Sequence, residues 1–217
     1  MERIKAIRKA AEIASQTMGF AREQEAVGMT EKELAKMIDE KMRGLGASRN
    51  AFDTIVGAGE NGAEIHHEPD DRVICESEPV VIDLGCVYNE YCSDMTRTVV
   101  FGGEPGEKYR EVFEAVKESQ RKAISAVRAG VNARDIDAVA RDYLQEKGWG
   151  ENFVHSTGHG VGKKVHEKPS ISSRSEDKLE EGDVVTIEPG VYIEGEFGVR
   201  IEDLMVVRKE GYEILGR

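Results

Sequence analysis

Residues 79–102, PVVIDLGCVYNEYCSDMTRTVVFG, carry the clearest indication of the fold. Two runs rich in β-branched and aromatic residues, Val80 to Tyr88 and Cys92 to Phe101, predict two strands folded as a hairpin. Each predicted strand carries one aspartate. Asp83 lies in an apolar run, where a carboxylate needs a buried partner, so it is either an acid at a strand end or a metal ligand. Asp94 is either a second ligand or one half of an ion pair with the arginine three residues further on.

A second hairpin is predicted at residues 184–207, VVTIEPGVYIEGEFGVRIEDLMVV, and again each strand carries one carboxylate, Glu188 and Glu202. Other segments also recur at nearly constant offsets of about a hundred residues, which indicates an internal duplication. We therefore predict one compact α+β domain made of two similar halves, residues 1–105 and 106–217. The recurring pairs are Gly28-Met29-Thr30 with Gly130-Val131-Asn132, Phe52 to Gly59 with Phe153 to Gly160, and Asp83-Leu84-Gly85 with Glu188-Pro189-Gly190.

The sequence before each hairpin has a helical pattern. Apolar residues at helical spacing predict an amphipathic helix from residue 4 to about residue 27. Thr30 and Glu33 have the spacing of a capping box, which predicts that a second helix begins there. A β-branched run predicts a strand from Ala51 to Gly57, and a further helix is predicted over residues 109–129.

The composition is typical of a globular protein that binds no polyanion. Hydrophobic residues make up 39% and charged residues 33% of the chain, and 30 basic against 42 acidic side chains give a net charge of -12. This charge disfavours nucleic acids and anionic membranes as partners. The sequence has no stretch typical of a membrane span or a signal peptide. Three cysteines without Cys-x-x-Cys spacing indicate free thiols, so we expect a cytoplasmic protein. We also expect the chain to be monomeric or homodimeric.

A histidine among glycines completes a set of possible metal ligands. His159 lies in His155-Ser-Thr-Gly-His159-Gly-Val-Gly, where the glycines predict a loop that lets backbone and ligand approach closely. If the two hairpins pack about a pseudo-twofold axis, their four carboxylates converge, and such a cluster stays ionised only around cations. Four oxygen ligands and one imidazole suit two divalent ions. The competing interpretation of Glu202 is an ordinary ion pair with Arg200, which falls on the same strand face.

These residues and their flanking motifs resemble the metal-dependent peptidases of the pita-bread fold, a family that includes methionine aminopeptidases, Xaa-Pro aminopeptidases and prolidases. The resemblance covers essentially the whole chain and implies a curved central antiparallel sheet. In the family pattern the first aspartate chelates one ion, the second aspartate and the last glutamate bridge both ions, and the histidine and the first glutamate complete the second site. The five positions match, in order and flanking motif, Asp83, Asp94, His159, Glu188 and Glu202.

Three motifs resemble the proline-specific branch of the family: Tyr91 to Thr98, His155 to His159 and Gly198 to Asp203. This resemblance implies hydrolysis of Xaa-Pro bonds, of the aminopeptidase P or prolidase type, by a hydroxide that bridges two divalent ions. Manganese is the first expectation for the metal, and cobalt, zinc and iron are alternatives. The implied catalytic residues are His66, His155, His166, Glu188 and Arg200, and the implied substrate-binding residues are His66, His155, His166, Tyr192 and Arg200. His67 has no implied role.

Other functions remain open at this point. Methionine aminopeptidases share the five ligands, but they usually lack a histidine at the position of His155 and the Arg-Ile-Glu sequence around Glu202. Some pita-bread domains bind peptides without catalysis after losing their ligands, and creatinase-like hydrolases use no metal, whereas all five ligands are present here. The longer proline-specific relatives carry an N-terminal capping domain, which we expect to be absent. The expected partner is a peptide or dipeptide with proline at its second position.

Overall fold

The structure, a computed structural model, describes residues 2–216. In this range the chain forms four α-helices, two short 3₁₀ helices and thirteen strands, and the named strands pair only antiparallel. The predicted α+β class is therefore confirmed. The helices are α1 (Glu2–Arg22), α2 (Glu31–Gly44), α3 (Glu107–Ala126) and α4 (Ala133–Glu146), and the 3₁₀ helices are Gly59–Ala63 and Gly150–Asn152. The strands are β1 (Arg49–Asn50), β2 (Ile55–Ala58), β3 (Pro79–Leu84), β4 (Cys86–Tyr88), β5 (Tyr91–Cys92), β6 (Met95–Val100), β7 (Gly158–Gly160), β8 (Glu167–Ile171), β9 (Val184–Ile187), β10 (Gly190–Ile193), β11 (Phe197–Arg200), β12 (Asp203–Arg208) and β13 (Gly211–Ile214).

The first predicted hairpin is confirmed, but both of its strands are interrupted. Strand β3 pairs with β6 and strand β4 with β5, and the ladder breaks at Gly85 and again at Ser93 and Asp94. A Cβ on Gly85 would collide with the Ser93 carbonyl oxygen, so glycine is required for this close approach. The Ser93 hydroxyl accepts a hydrogen bond from the Cys86 amide at 3.0 Å. The break therefore releases Asp94 from the ladder and leaves its side chain free to turn into a site.

The second hairpin has the same construction. Strand β9 pairs with β12 and strand β10 with β11, and Glu188 and Glu202 occupy the two breaks between them. The Glu202 amide donates to the Thr96 carbonyl oxygen at 3.1 Å, which joins the second hairpin to the first. Three of the four predicted carboxylates thus lie in strand breaks, and only Asp83 lies within a strand.

The two helical regions make the same backbone hydrogen bond to the segment that precedes each hairpin. Gly28 donates to the Ile74 carbonyl at 2.9 Å, and at the recurring position Gly130 donates to the Leu179 carbonyl at 2.8 Å. Both glycines have a positive φ, 92° and 84°, a conformation that glycine adopts without strain. The Thr30 capping box is present and begins α2. These matching contacts support the division into two halves, which stays a prediction.

Several predicted boundaries shift. Helix α1 ends at Arg22 rather than near residue 27, because the chain then turns so that Ala26 enters the core. The predicted strand from Ala51 begins only at Ile55, and just before it the Thr54 hydroxyl donates to the Asp39 carboxylate of α2 at 2.6 Å. None of the helices in residues 2–216 is both long and apolar enough to cross a membrane.

The helices cover one side of the sheets and so direct the carboxylates to the other. Ile82 and Leu84 are buried in a cluster with Leu34 and Ile38 of α2. Because side chains alternate along a strand, Asp83 between them faces away from the helices. Helices α3 and α4 pack in the same way on the second hairpin, in a cluster that includes Val116, Ile136, Leu144, Val185, Ile187 and Met205.

Candidate metal centre

The five predicted ligands line one cavity of about 230 Å³. His159 is central: its Nε2 atom lies 3.1 Å from Glu188 Oε1 and 3.5 Å from Asp94 Oδ2. Ligand atoms of Asp94, His159 and Glu202 all lie within 4.8 Å of one another. Residues from three separate segments are thus brought together as the sequence predicted: Asp83 and Asp94 of the first hairpin, His159 of β7, and Glu188 and Glu202 of the second hairpin.

The His159 ring is oriented by its backbone surroundings. Its Nδ1 atom lies 3.1 Å from the Gly160 carbonyl oxygen, to which it can only donate. In the metal-free chain Nε2 donates to Glu188, and this hydrogen bond outweighs burial and raises the pKa of His159. A bound ion would replace the Nε2 proton, and the Nδ1 bond would then hold the neutral tautomer that a metal ligand needs. The His159 amide donates to the Thr186 hydroxyl at 3.1 Å, and that hydroxyl donates to Glu188 Oε1 at 3.0 Å.

The glycines beside His159 have a different purpose from the predicted one. The expectation of a loop was wrong, because His159 lies in strand β7. A Cβ on Gly158 would collide with the Thr186 carbonyl oxygen, and one on Gly160 with the Lys168 carbonyl oxygen. The glycines therefore let the neighbouring strands approach the histidine, rather than letting a ligand approach the backbone.

Burial and crowding raise the pKa values of two of the carboxylates, whereas a hydrogen bond lowers that of a third. Burial raises the pKa of Asp94 well above its usual value, and the nearby carboxylates of Glu202 and Asp83 raise it further. Burial also raises the pKa of Glu202, with a second contribution from Glu188. Burial acts to raise the pKa of Glu188 too, but the hydrogen bond from His159 outweighs it and the net shift is downward. The cluster therefore resists full ionisation in the absence of further positive charge.

Two buried oxygens of this cluster lack a partner in the described part of the chain. Asp83 Oδ1 and Glu202 Oε1 are shielded from solvent and accept no hydrogen bond. A buried carboxylate oxygen without a donor is costly, because its desolvation is not offset. Divalent ions would bind both oxygens. Their charge would also favour the ionised form of the carboxylates whose pKa values are raised. The donor set of carboxylates and one imidazole fits two ions of the Mn, Fe, Co or Zn type.

Arg200 makes a different ion pair from those considered in the sequence. It is 2% exposed, and its Nη2 atom donates to Asp83 Oδ2 at 2.8 Å, so the interpretation as a pair with Glu202 was wrong. Its Nε atom donates to the Thr96 hydroxyl at 3.1 Å. Arg97 likewise pairs with Asp203 at 2.7 Å and not with Asp94. Both aspartates of the first hairpin are therefore available as ligands, with Arg200 fixing one oxygen of Asp83.

A hydrogen-bonded chain connects Arg200 with a predicted substrate-binding histidine. Arg200 Nη1 donates to the Tyr192 hydroxyl at 2.7 Å, and that hydroxyl lies 2.9 Å from His155 Nε2. His155 Nδ1 faces the Ser156 carbonyl oxygen at 2.7 Å, so Nε2 is left to accept from Tyr192. Burial raises the pKa of Tyr192 to about 12 and lowers that of His155, which keeps both groups neutral near pH 7.

The remaining predicted residues lie at the mouth of the site. His66 and His166 are exposed and line both the cavity of the five ligands and a second, adjoining cavity of about 510 Å³. The ring centroids of His166 and His159 are 4.2 Å apart. His155 lines the second cavity, whereas Tyr192 is buried and reaches the site through its hydroxyl. The adjoining cavities could hold the two sides of an extended substrate around the ligand cluster.

The sequence model of metallopeptidase family M24 matches residues 5–209. The chain belongs to metallopeptidase family M24. It is 45% identical over 210 residues to the Xaa-Pro dipeptidase of Pyrococcus furiosus. The matched region covers 97% of this chain and 60% of that protein. An uncharacterized peptidase of Staphylococcus aureus is 43% identical over 214 residues, 99% of this chain and 61% of the relative. The chain thus spans about three fifths of the length of these curated relatives.

Solved structures of similar proteins agree with this M24 assignment. The prolidase from Pyrococcus furiosus matches with a TM-score of 0.97 and 44% identity, covering 100% of this chain and 64% of that one. The X-Pro aminopeptidase from Thermotoga maritima matches with a TM-score of 0.96 and 44% identity, covering 100% and 61%. Both the family resemblance and the pita-bread fold class predicted from the sequence are confirmed.

Two threonines of this M24 site were missed in the sequence. Thr96 donates its hydroxyl to Glu202 Oε2 at 2.7 Å and accepts from Arg200, so it connects a ligand with the arginine. Thr186 connects His159 with Glu188. Each threonine lies two residues from a ligand carboxylate, Asp94 or Glu188, and strand alternation was the signal that could have identified them.

Proposed function

We propose that this M24 chain is a metal-dependent exopeptidase that hydrolyses Xaa-Pro peptide bonds, of the aminopeptidase P or prolidase type. The observation that carries the proposal is the convergence of five ligand side chains in one cavity, where Asp83 Oδ1 and Glu202 Oε1 are buried without a hydrogen-bond donor. The relatives named as Xaa-Pro dipeptidase, prolidase and X-Pro aminopeptidase support the substrate class.

The ligand roles follow the family pattern. Asp83 would hold one ion, Asp94 and Glu202 would bridge both, and His159 with Glu188 would complete the second position. Two such ions, when bound, acidify a shared water and polarise the scissile carbonyl. We propose manganese as the first choice of metal, since oxygen-rich sites suit it, with cobalt, zinc and iron as alternatives.

Glu188 is the proposed general base. In the metal-free chain the hydrogen bond from His159 lowers its pKa despite burial, and bound cations would keep the carboxylate ionised in place of that hydrogen bond. Its Oε1 atom is already held by the Thr186 hydroxyl at 3.0 Å, which leaves Oε2 for the attacking water. The proposed base is therefore oriented before substrate binds.

The histidines at the mouth are proposed to bind the substrate carbonyl. Burial and the proximity of His159 lower the pKa of His166, so at pH 7 its ring is neutral and can donate one N–H. His66 lines the same two cavities and can donate a second hydrogen bond. Donors already in place where negative charge develops lower the barrier without reorganisation.

The chain from Arg200 through Tyr192 to His155 is proposed to position the substrate. Arg200 is fixed by Asp83 and Thr96, so its hydrogen bond to Tyr192 holds the phenol and, through it, the His155 ring at the second cavity. A neutral, immobile wall of this kind suits the apolar proline ring better than a charged one.

The remaining properties are proposed from the sequence. Residues 1–217 form one catalytic domain with halves 1–105 and 106–217, the compartment is the cytoplasm, and the chain is monomeric or homodimeric. The partner is a peptide or dipeptide with proline at its second position, and the net charge of -12 disfavours nucleic acid.

The activity is tested with matched peptides. Protein purified without chelator is assayed with Ala-Pro, Ala-Pro-Ala and Met-Ala-Ala in the presence of Mn²⁺, and again after treatment with EDTA. We expect release of alanine from a peptide with proline at position two, loss of that activity with EDTA, and its return with Mn²⁺. Ala-Ala-Ala is the control for the proline requirement. Cleavage of Met-Ala-Ala alone would indicate a methionine aminopeptidase, and binding of peptides without cleavage would indicate a non-catalytic domain; either result overturns the proposal.

A further inference from the structure

The turn that carries His66 is attached to helix α2 by two buried residues, Glu31 and His67, that have no part in the proposed mechanism. His66 lies at the mouth of both cavities, and its exposed ring has no hydrogen-bond partner within residues 2–216. Its location therefore depends on how the adjacent backbone is held. The support comes from the next residue, His67, and from Glu31 at the start of α2, which are 7% and 0% exposed.

One carboxylate holds both ends of the segment around His66. Glu31 Oε1 accepts from the Ala58 amide at 2.7 Å and from the Asn61 side chain at 3.1 Å. Its Oε2 atom accepts from the Asp70 amide at 3.1 Å. Ala58 and Asn61 precede His66, and Asp70 follows it. The segment from 58 to 70 is thus closed into a loop around the Glu31 carboxylate.

His67 adds the contact nearest to His66. Its Nε2 atom lies 2.7 Å from Glu31 Oε2, and its Nδ1 atom lies 3.2 Å from Glu64 Oε2. Both ring nitrogens face carboxylates, so both donate only when the ring is an imidazolium. Burial acts to lower the pKa of His67, but the hydrogen bonds to Glu31 and Glu64 outweigh it and the net shift is upward. Charge-assisted bonds of this kind hold the turn firmly against α2.

A metal ion does not account for this cluster. Ligand atoms of Glu31, His67 and Asp70 lie within 4.8 Å of one another. However, the 2.7 Å between His67 Nε2 and Glu31 Oε2 is a hydrogen bond, and an ion with bonds of about 2.0 Å to each atom would have to break it. Both Glu31 oxygens already accept bonds from nitrogen donors. The arrangement is a fully satisfied link between a helix and a turn.

We propose that Glu31 is a positioning residue for the proposed hydrolysis: through the His67 ring it fixes the turn that places His66 beside the substrate. Neither Glu31 nor His67 touches the five metal ligands through a hydrogen bond, so the effect is expected on the chemical step and not on metal binding. The kinetic part of the inference rests on the proposed function.

The test uses two substitutions of one residue. In His67→Gln the side-chain amide nitrogen can occupy the place of Nε2 and still donate to Glu31, whereas in His67→Asn it can replace only Nδ1 and reaches Glu64. We expect His67→Asn to lower kcat for Ala-Pro about tenfold or more with little change in KM, because a donor displaced by about 1 Å loses much of its effect. His67→Gln should restore most of kcat. Equal kcat in both variants would overturn the proposal.

A second pair of variants tests the carboxylate. Glu31→Gln is compared with Glu33→Gln, which changes the same residue type in the same helical turn but lies outside the link, at the capping box. We expect the loss of kcat only in Glu31→Gln, with Mn²⁺ content unchanged in both. In a His66→Ala background, His67→Asn should cause no further loss. An independent further loss there would show that the pair acts through general stability and would overturn the proposal.

A spectroscopic measurement separates this inference from the proposed function. In protein with ¹³C-labelled histidine, the His66 ring signal is assigned by its absence in His66→Ala. We expect His67→Asn to shift or broaden that signal while His67→Gln leaves it close to wild type, and the His159 signal should be unchanged in both. If the wild-type chain hydrolyses no Xaa-Pro peptide but the His66 signal responds in this way, the positioning stands and the proposed function falls. An unchanged His66 signal in His67→Asn overturns the positioning itself.

Discussion

At the scale of single residues, the site is a balance between carboxylates that repel one another and the few groups that neutralise them. Arg200 neutralises one oxygen of Asp83, and His159 stabilises the ionised form of Glu188. For Asp94 and Glu202, burial and the neighbouring carboxylates outweigh the nearby Arg200, and their pKa values are raised well above the usual range. Metal binding is therefore proposed to offset the repulsion between the carboxylates that the fold brings together.

This balance predicts that Glu202→Gln separates stability from metal binding. In metal-free protein at pH 7, the substitution removes a buried carboxyl group whose ionised form the cluster disfavours, so the free energy of unfolding should be unchanged or higher by about 1 kcal/mol. With Mn²⁺ the wild-type protein should gain stability, because the ion binds only the folded state, and the variant should gain little. Differential scanning calorimetry with and without Mn²⁺ measures both. Glu194→Gln, an exposed position in the same hairpin, is the control, and a large loss of stability in metal-free Glu202→Gln would contradict the prediction.

The convergence of the five candidate ligands was predictable from the sequence, and the ion pairs were not. Local alternation placed Arg200 on the same face as Glu202, but the arginine pairs with Asp83 of the other hairpin at 2.8 Å. That contact joins residues far apart in sequence, so it depends on how the two halves pack, and no local pattern contains this information.

At the scale of elements, the strand breaks determine the site. The sequence predicted two continuous hairpins, and their pairing is confirmed, whereas the interruptions at Gly85 and at Ser93 were not predicted. Such breaks depend on close approaches between backbones, as at Gly85 and the Ser93 carbonyl, which follow from tertiary packing and not from hydrophobic periodicity. The start of α2 was easier to predict, because the Thr30 capping box is a local hydrogen-bond pattern.

The packing of β7 predicts that Gly158→Ala is costly in both stability and metal affinity. The added Cβ would collide with the Thr186 carbonyl oxygen, so strands β7 and β9 must separate. We expect a loss of about 1 to 3 kcal/mol in free energy of unfolding, typical of overpacking. Because Thr186 also holds His159 and Glu188, Mn²⁺ affinity should fall as well.

The matched control is Gly19→Ala in helix α1, where an added Cβ meets nothing within 4 Å. This substitution should be neutral or stabilising by up to about 1 kcal/mol, because alanine favours a helix interior. Urea denaturation measures both variants. Equal and small effects at the two positions would show that β7 can move away from β9 at little cost.

At the scale of the whole molecule, ion pairs help to attach the first helix to the last strands. The Glu213 carboxylate accepts from Arg8 of α1 at 2.6 Å and from Arg208 of β12. These two arginines lower the pKa of Glu213 to about 2. The side chains are more than a third exposed, so solvent screens the pair and its contribution stays within about 1 kcal/mol.

This attachment predicts a pH-dependent stability difference. A carboxylate with a lowered folded-state pKa stabilises the fold above its unfolded value of 4.5, and the stabilisation is lost as the pH falls toward about 2. Glu213→Gln should therefore melt below wild type at pH 7, and the difference should shrink steadily below about pH 4.5. Thermal melts across this range measure it, with Glu210→Gln as a control that lacks an ion pair in the described chain. A difference that does not change with pH would contradict the prediction.

Five side chains from the two hairpins and β7 are proposed to hold two metal ions. Isothermal titration of chelator-treated protein with Mn²⁺ tests it most directly, with Asp94→Asn measured beside the wild type and Asp71→Asn, an exposed aspartate, as control. The predicted result is two ions bound per wild-type and Asp71→Asn chain, with reduced stoichiometry or much weaker binding in Asp94→Asn. No binding to the wild type, or undiminished binding of two ions to Asp94→Asn, would contradict the account.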